Sequence, residues 1–202
     1  MALWIKICGI RDLATAQFCV DHGANAIGLV FADSPRKVLV EEAREIAAGL
    51  PAGVEKIGVF KDSGVDKMLR VARDAGLTAI QCHYPSGGAA PGGLAVELIP
   101  AFAADALGKA DFGFLADRRY LVDSPAGPGS GRAWDYARAA QGKGRAIVAG
   151  GLTPDNVANA IKRARPYGID VSSGVESKRG IKDVALIKDF IGAARAAEKE
   201  MA

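Results

Sequence analysis

Short apolar runs alternate with stretches of helical periodicity from the first residues of the chain to the last. The runs predict strands at Leu3–Cys8, Ala26–Phe31, Lys56–Phe60, Ala79–His83, Ala95–Ile99, Tyr120–Asp123, Ala146–Ala149 and Ile169–Ser172. Apolar residues recurring at three- and four-residue intervals predict helices at Leu13–Asp21, Val40–Ala48, Val65–Asp74, Ala103–Lys109, Trp134–Ala140, Asp155–Arg163 and Val184–Glu198. Some of these open on a legible cap: at Thr153-Pro154 the threonine oxygen is placed to accept an early helix N–H, and proline suits the first turn. One gap departs from the pattern. After His83 comes YPSGGAAPGGL, which has no room for a full helix, so a short or missing fourth helix is expected there, with a disordered loop as the alternative.

Strands that alternate with helices call for a parallel sheet with right-handed crossovers, and eight such units close into a barrel instead of leaving two edges. The expectation is an α/β fold: a single (β/α)8 TIM barrel with helix 4 short or missing, residues 1–202 forming one domain. A doubly wound open sheet competes with it. Open sheets usually have fewer strands and often an early glycine-rich nucleotide loop, and no GxGxxG follows the first strand here.

Composition narrows the function classes. Half the residues are hydrophobic and the 25 glycines are spread along the chain, which suits a compact α/β protein with many turns. The net charge of +3, from 26 basic and 23 acidic residues, is compatible with anionic substrates, and no Lys/Arg run is dense enough for a nucleic-acid arm. Three cysteines without CxxC spacing describe neither a disulfide framework nor a zinc site and fit a reducing compartment. The apolar start MALWIKICGI lacks a basic n-region and runs into Arg11-Asp12, and no stretch approaches the ~18 apolar residues that span a bilayer. A cytoplasmic protein with no membrane and no nucleic-acid partner is expected. The oligomeric state stays open, with a monomer slightly favoured.

In a (β/α)8 barrel the reacting groups sit at the C-terminal ends of the strands. Polar residues that end apolar strands are therefore the candidates: Lys6-Ile7-Cys8, Gln81-Cys82-His83, Leu121-Val122-Asp123, and Asp170 with the following Ser172-Ser173-Gly174. Side chains alternate along a strand, so Lys6 shares a face with Cys8, Gln81 with His83, and Leu121 with Asp123. With Cys8 pointing into the mouth, Lys6 lies one layer below.

At these positions the chain resembles a known family. KICGI at the first strand, SPRKV after the second, GVF at the third, LVDS followed by GSG and Trp134-Asp135 after the sixth, AGGLTPDNV at the seventh, and DVSSGVE with a downstream GIKD at the eighth resemble phosphoribosylanthranilate isomerases, from Ile5 to about Ile191. The resemblance implies an aminoaldose substrate with a phosphate at one end and an aromatic carboxylate at the other, an Amadori rearrangement in tryptophan biosynthesis, and neither cofactor nor metal. It implies Cys8 as the base and Asp123 as the acid.

The residue types fit those roles. A free thiol titrates near ~8.5, so Cys8 needs a positive neighbour, which Lys6 or the substrate iminium supplies. Asp123 must keep a proton, and burial or a nearby phosphate raises its pKa in that direction. The plainer alternatives are a small buried thiol at Cys8 and a turn-initiating Asp123 before Ser124-Pro125. Phosphate binding is expected at Gly150, Gly151, Ser173 and Gly174, where backbone amides come close to an anion at a helix N-terminus. Arg36 is expected to hold the aromatic carboxylate through two parallel hydrogen bonds. Lys6, Gln81 and His83 are further substrate-side residues, and Asp170 is expected to hold either Lys6 or a ribose hydroxyl. The GSG at 129–131 suggests a cover over the site.

Two departures from the family pattern put the aromatic side of the pocket in doubt. The fourth strand usually ends Gln-Leu-His-Gly, whereas here Tyr84 follows Gln81-Cys82-His83; the fifth usually offers a basic residue near its end, whereas here Glu97 stands. Two other functions compete: a ketose-phosphate epimerase on a similar barrel, which would lean on paired aspartates and metal-binding histidines, and a barrel that binds a phosphorylated metabolite without catalysis. The chain has two histidines in all, which disfavours the first.

Overall fold

The computed structural model describes residues 2–61, 63–83, 96–107, 117–127, 131–141 and 144–201. Eight parallel strands close a barrel in sequence order, β1 to β8, with β1 hydrogen-bonded to β8. They are β1 Trp4–Cys8, β2 Ala26–Val30, β3 Glu55–Lys61, β4 Ala79–His83, β5 Glu97–Ala103, β6 Arg119–Asp123, β7 Arg145–Val148 and β8 Gly168–Val171. Helices α1 Leu13–Asp21, α2 Val40–Ala48, α3 Val65–Asp74, α4 Val157–Ala164 and α5 Val184–Met201 pack outside. A two-stranded hairpin, β9 Glu176–Lys178 and β10 Ile181–Lys182, stands beside the end of β8.

Strand alternation sorts the core into layers. Ile5, Ile7, Ile27, Leu29, Ile80, Val122 and Ile169 face outward under the helices, where non-directional burial of apolar area holds wall and helices together. Trp4, Ala26, Ile57, Ala79, Ile99, Leu121 and Ile147 fill the interior, and Cys8, Val30 and Val59 form a small layer above. A filled interior is what an eight-stranded barrel has, so function is confined to its rim.

Three elements differ from the sequence expectation. The fifth strand runs Glu97–Ala103, not Ala95–Ile99: burial of Leu98 through Phe102 outweighs the one ladder donor that Pro100 lacks. Glu97 is therefore at the start of the strand, far from the rim. The helix expected at Ala103–Lys109 is a single 3-10 turn at Ala104–Ala106, with 108–109 outside the described residues, and the one expected at Trp134–Ala140 is a 3-10 helix at Tyr136–Gln141. At α4 the cap is Asn156, not Thr153, whose backbone oxygen accepts the Val157 N–H. Tyr84, the 84–94 segment expected to replace helix 4, and Gly129 and Ser130 of the expected cover lie outside the described residues.

Candidate active site

Inward-facing Lys6 is the centre of the layer below the rim. It is 1% exposed, and its Nζ donates to Gln81 Oε1 at 2.9 Å and Asp170 Oδ1 at 3.0 Å, tying β1 to β4 and β8. Burial favours the neutral amine, but the attraction of Asp170 leads the opposing effects and the net shift is upward, so Lys6 stays a cation. Gln81 Nε2 lies 3.3 Å from His83 Nε2, the next inward residue on β4. Of the two roles expected for Asp170, pairing with Lys6 is the contact formed.

Cys8 stands one step above Lys6. Both pack against Gly28 of β2: a Cβ there would come within 2.9 Å of Cys8 Sγ and 3.0 Å of Lys6 Cε. Gly28 was not among the sequence candidates; only the β1–β2 register, which sets Cys8 beside Gly28, reveals it. Burial pushes the Cys8 thiol up, and the downward pull of Lys6 and Lys182 does not cancel that. The positive neighbour expected beside the thiol is in place, and the net shift is still upward.

Asp123 ends β6 and is 7% exposed. Burial raises its pKa to about 6, Asp170 adds to the rise, and the Ser124 N–H, 2.7 Å from Oδ1, works against it. Cys8, Asp123, Gln81, His83, Arg36 and Asp170 all line one cavity of about 240 Å³. The alternation argument thus brings together the ends of β1, β4, β6 and β8.

A second cavity of about 50 Å³ adjoins it, sharing Asp123, Asp170 and Ser172. Gly150, Gly151, Ser173 and Gly174 line it, and close backbone approach explains the glycines. At Gly150, φ +83, a Cβ would meet Ser124 N at 2.4 Å and Asp123 Oδ1 at 2.5 Å; at Gly174 it would meet Leu152 O at 1.8 Å. Asn156, Trp134 and Tyr136, none of them singled out as site residues from sequence, brace this loop. Asn156 accepts from Thr153 N and donates to Gly151 O, both at 2.8 Å, while Trp134 Nε1 and the Tyr136 hydroxyl donate to Ala149 O and Gly150 O at 2.8 and 3.1 Å. Gly131 alone of the expected cover is described, and it lines this cavity too.

Arg36 reaches the larger cavity from the loop after β2, and it is no loose surface arginine. Its Nε and Nη2 donate to the two carboxylate oxygens of Glu176 at 2.6 and 2.9 Å, so this edge of the guanidinium is already taken. The Nη1 side of the fork has no such bond to Glu176. Lys182 Nζ also donates to Glu176 Oε1 at 2.8 Å and to Ser172 O at 2.8 Å. Burial alone would raise Glu176, but hydrogen bonds from Arg36, Lys182 and Gly180 bring it down to about 2. The sequence held a signal for Glu176 and Lys182 in the DVSSGVE and GIKD motifs, but no partner for either.

With this geometry in hand, likeness to known proteins becomes specific. The family model described as N-(5'phosphoribosyl)anthranilate (PRA) isomerase matches residues 5–193. The N-(5'-phosphoribosyl)anthranilate isomerase of Geobacter sp. (strain M21) is 40% identical over 200 residues, covering 95% of this chain and 97% of its own. The crystal structure of phosphoribosyl anthranilate isomerase from Thermotoga maritima superposes with a TM-score of 0.85 at 34% identity, covering 96% of this chain and all of the other (100%). Another crystal structure, of a phosphoribosyl anthranilate isomerase in complex with reduced 1-(o-carboxyphenylamino)-1-deoxyribulose 5-phosphate, gives 0.82 at 33% identity, covering 96% and 100% of the two chains. A match across nearly the whole chain, in sequence and in fold, leads to one conclusion: the chain belongs to the N-(5'-phosphoribosyl)anthranilate isomerase family.

Proposed function

We propose that this protein converts N-(5'-phosphoribosyl)anthranilate to 1-(2-carboxyphenylamino)-1-deoxyribulose 5-phosphate in tryptophan biosynthesis, with Asp123 as general acid and Cys8 as general base. The observation that carries the assignment of roles is that a carboxyl group raised to about 6 and a buried thiol line the same cavity from two non-adjacent strands, β6 and β1. Asp123 gives its proton to the furanose ring oxygen, the C1'–O bond breaks, and the anthranilate nitrogen becomes an iminium. Cys8 then takes the C2' proton, and the resulting enolamine tautomerises to the ketone.

The iminium supplies the positive charge that Lys6 and Lys182 do not fully provide. A thiolate that is scarce because its pKa is raised is a stronger base once formed, and the cationic substrate makes C2'–H more acidic at the moment it is needed. The substrate phosphate fits the backbone amides at Gly150, Gly151, Ser173 and Gly174, and the anthranilate carboxylate fits the Nη1 side of Arg36. Gln81 and His83 line the wall between Lys6 and the cavity. Cys8, Cys19 and Cys82 form no disulfide, which suits a reducing, cytoplasmic site of action, and no described helix is long and apolar enough to cross a membrane.

Loss of the anthranilate fluorescence on addition of substrate tests the activity directly. Cys8→Ser and Asp123→Asn are each expected to lower kcat at least ~100-fold with smaller changes in KM, the pattern of groups that act on the transition state. Near-normal kcat in either variant would remove that residue from the mechanism. EDTA should leave the rate unchanged; inactivation reversed by zinc or iron would favour an epimerase-type site instead.

A further inference from the structure

We infer that Glu176 is a positioning residue that aims Arg36 at the carboxylate of the substrate, and that discrimination between aminoaldose phosphates with and without that carboxylate depends on it. The inference rests on the reading of Arg36 as the carboxylate's partner.

Three separated segments meet at this point, the loop after β2, the β9–β10 hairpin and the end of β1. Arg36 comes from the loop after β2, Glu176 opens β9, Lys182 closes β10, and Gly9 follows β1. Glu176 accepts four hydrogen bonds: Arg36 Nε at 2.6 Å and Lys182 Nζ at 2.8 Å on Oε1, and Arg36 Nη2 at 2.9 Å and Gly180 N at 3.0 Å on Oε2. Its side chain is 3% exposed, that of Lys182 4% and that of Arg36 10%, so water does not loosen the arrangement. Two glycines are required by it. At Gly9, φ +78, a Cβ would lie 2.6 Å from Arg36 Cδ, so only glycine lets the arginine stem lie across the end of β1; at Gly180, φ +85, it would lie 2.8 Å from Pro35 O, so only glycine lets the hairpin touch the Arg36 loop.

An arginine has many rotamers, and one carboxylate clamping its Nε–Nη2 edge leaves the rest of the fork pointing in a set direction. Lys182 has a distinct part. Arg36 alone would neutralise Glu176; with the second cation the cluster carries a net positive charge, so Arg36 still attracts an anion although it is ion-paired. A substrate carboxylate is the group that completes the cluster's charge balance.

The test compares two substrates, phosphoribosylanthranilate and the phosphoribosylaniline formed by condensing aniline with ribose 5-phosphate. Their ratio of kcat/KM is measured for the wild type, Glu176→Gln, Glu176→Asp and Arg36→Met. Glu176→Gln is expected to raise KM for the carboxylate-bearing substrate at least ~10-fold, to leave its kcat within about threefold and to shift the aniline analogue little, so that the ratio collapses towards one. A general disturbance of the barrel would lower both substrates alike and preserve the ratio, overturning the inference. Glu176→Asp keeps the charge but is too short to bridge Arg36 and Lys182 together; it should give an intermediate ratio, and it serves as the deciding variant if Glu176→Gln fails to fold. Arg36→Met separates the underlying reading: if it abolishes discrimination while both Glu176 variants retain it, only the positioning role fails; if it too retains discrimination, Arg36 is not the partner of the carboxylate.

Discussion

Asp123, the proposed general acid, sets stability against chemistry. A carboxyl group raised from 3.8 to about 6 by burial binds its proton more tightly in the folded protein than in the unfolded chain. The sign follows from linkage: the stability due to this preference is fully present below the unfolded value near 4, is lost as pH rises from there to about 6, and stays lost above. A shift of about two units corresponds to about 3 kcal/mol across that window. Asparagine imitates the protonated acid at every pH. Asp123→Asn should therefore be more stable relative to wild type at pH 7.5 than at pH 3.5, by an amount approaching that figure, while losing activity. Denaturant unfolding of both proteins at the two pH values measures it, and a pH-independent difference would mean that Asp123 is not held protonated by its surroundings.

At the scale of elements, the β1–β2 pair shows how the wall of the barrel aims a side chain. Cys8 reaches the rim because Ile5 and Ile7 take the outward face of β1, and it fits only because Gly28 leaves room. Gly28→Ala would set a methyl group 2.9 Å from Cys8 Sγ and 3.0 Å from Cys8 Cα, with Lys6 Cε equally close. Overpacking of that kind costs about 1–3 kcal/mol. Displacing Cys8, the base of the proposed mechanism, should also cost rate, so kcat is expected to fall at least ~10-fold with phosphate affinity retained. An unchanged kcat would show that the thiol's position is not set by this contact. The strand-end residues Cys8, Gln81, His83, Asp123 and Asp170 were legible in the sequence because a period of two, applied to apolar runs, already says which residues share an inward face. Gly28, Glu176 and Lys182 were not, since their roles arise from register and contacts between segments far apart in the chain. The extent of the fifth strand was hidden for a related reason: Pro100 locally favours a break, and only the burial of its neighbours overrides it. The 3-10 form of Tyr136–Gln141 was equally hidden behind a helical pattern, and so was the bond from the Tyr136 hydroxyl to Gly150 O.

Over the whole molecule, the barrel separates a reacting end from a bracing end, and the second can be tested without touching the first. At the N-terminal ends of the strands Arg119 of β6 donates through Nη1 and Nη2 to both carboxylate oxygens of Glu55 of β3 at 2.8 and 2.7 Å, and through Nε to Glu97 of β5 at 2.9 Å. Its Nη2 also contacts the second oxygen of Glu97, and the guanidinium lies 5.3 Å from the Trp4 ring centroid. Trp4 Nε1 in turn donates to Glu55 Oε1 at 2.9 Å, so β1, β3, β5 and β6 are joined across the floor. Removing Arg119 leaves two carboxylates facing each other over an indole. Breaking a buried pair by deleting one partner typically costs about 3–5 kcal/mol, and the partial exposure of Glu55 and Glu97, 29% and 41% by side chain, places the expected loss at or below the lower bound. Arg119→Met should therefore lower the unfolding free energy by on the order of 3 kcal/mol. Its kcat and KM should stay within about twofold at a temperature where it is folded, because the interior layer of Ala26, Ile57, Ala79, Ile99, Leu121 and Ile147 stands between that floor and the Lys6–Asp170 pair. Urea unfolding alongside steady-state kinetics decides between the outcomes: a fall in stability with intact kinetics supports two separable ends, whereas a comparable loss of kcat would mean that the filled interior transmits strain from floor to rim.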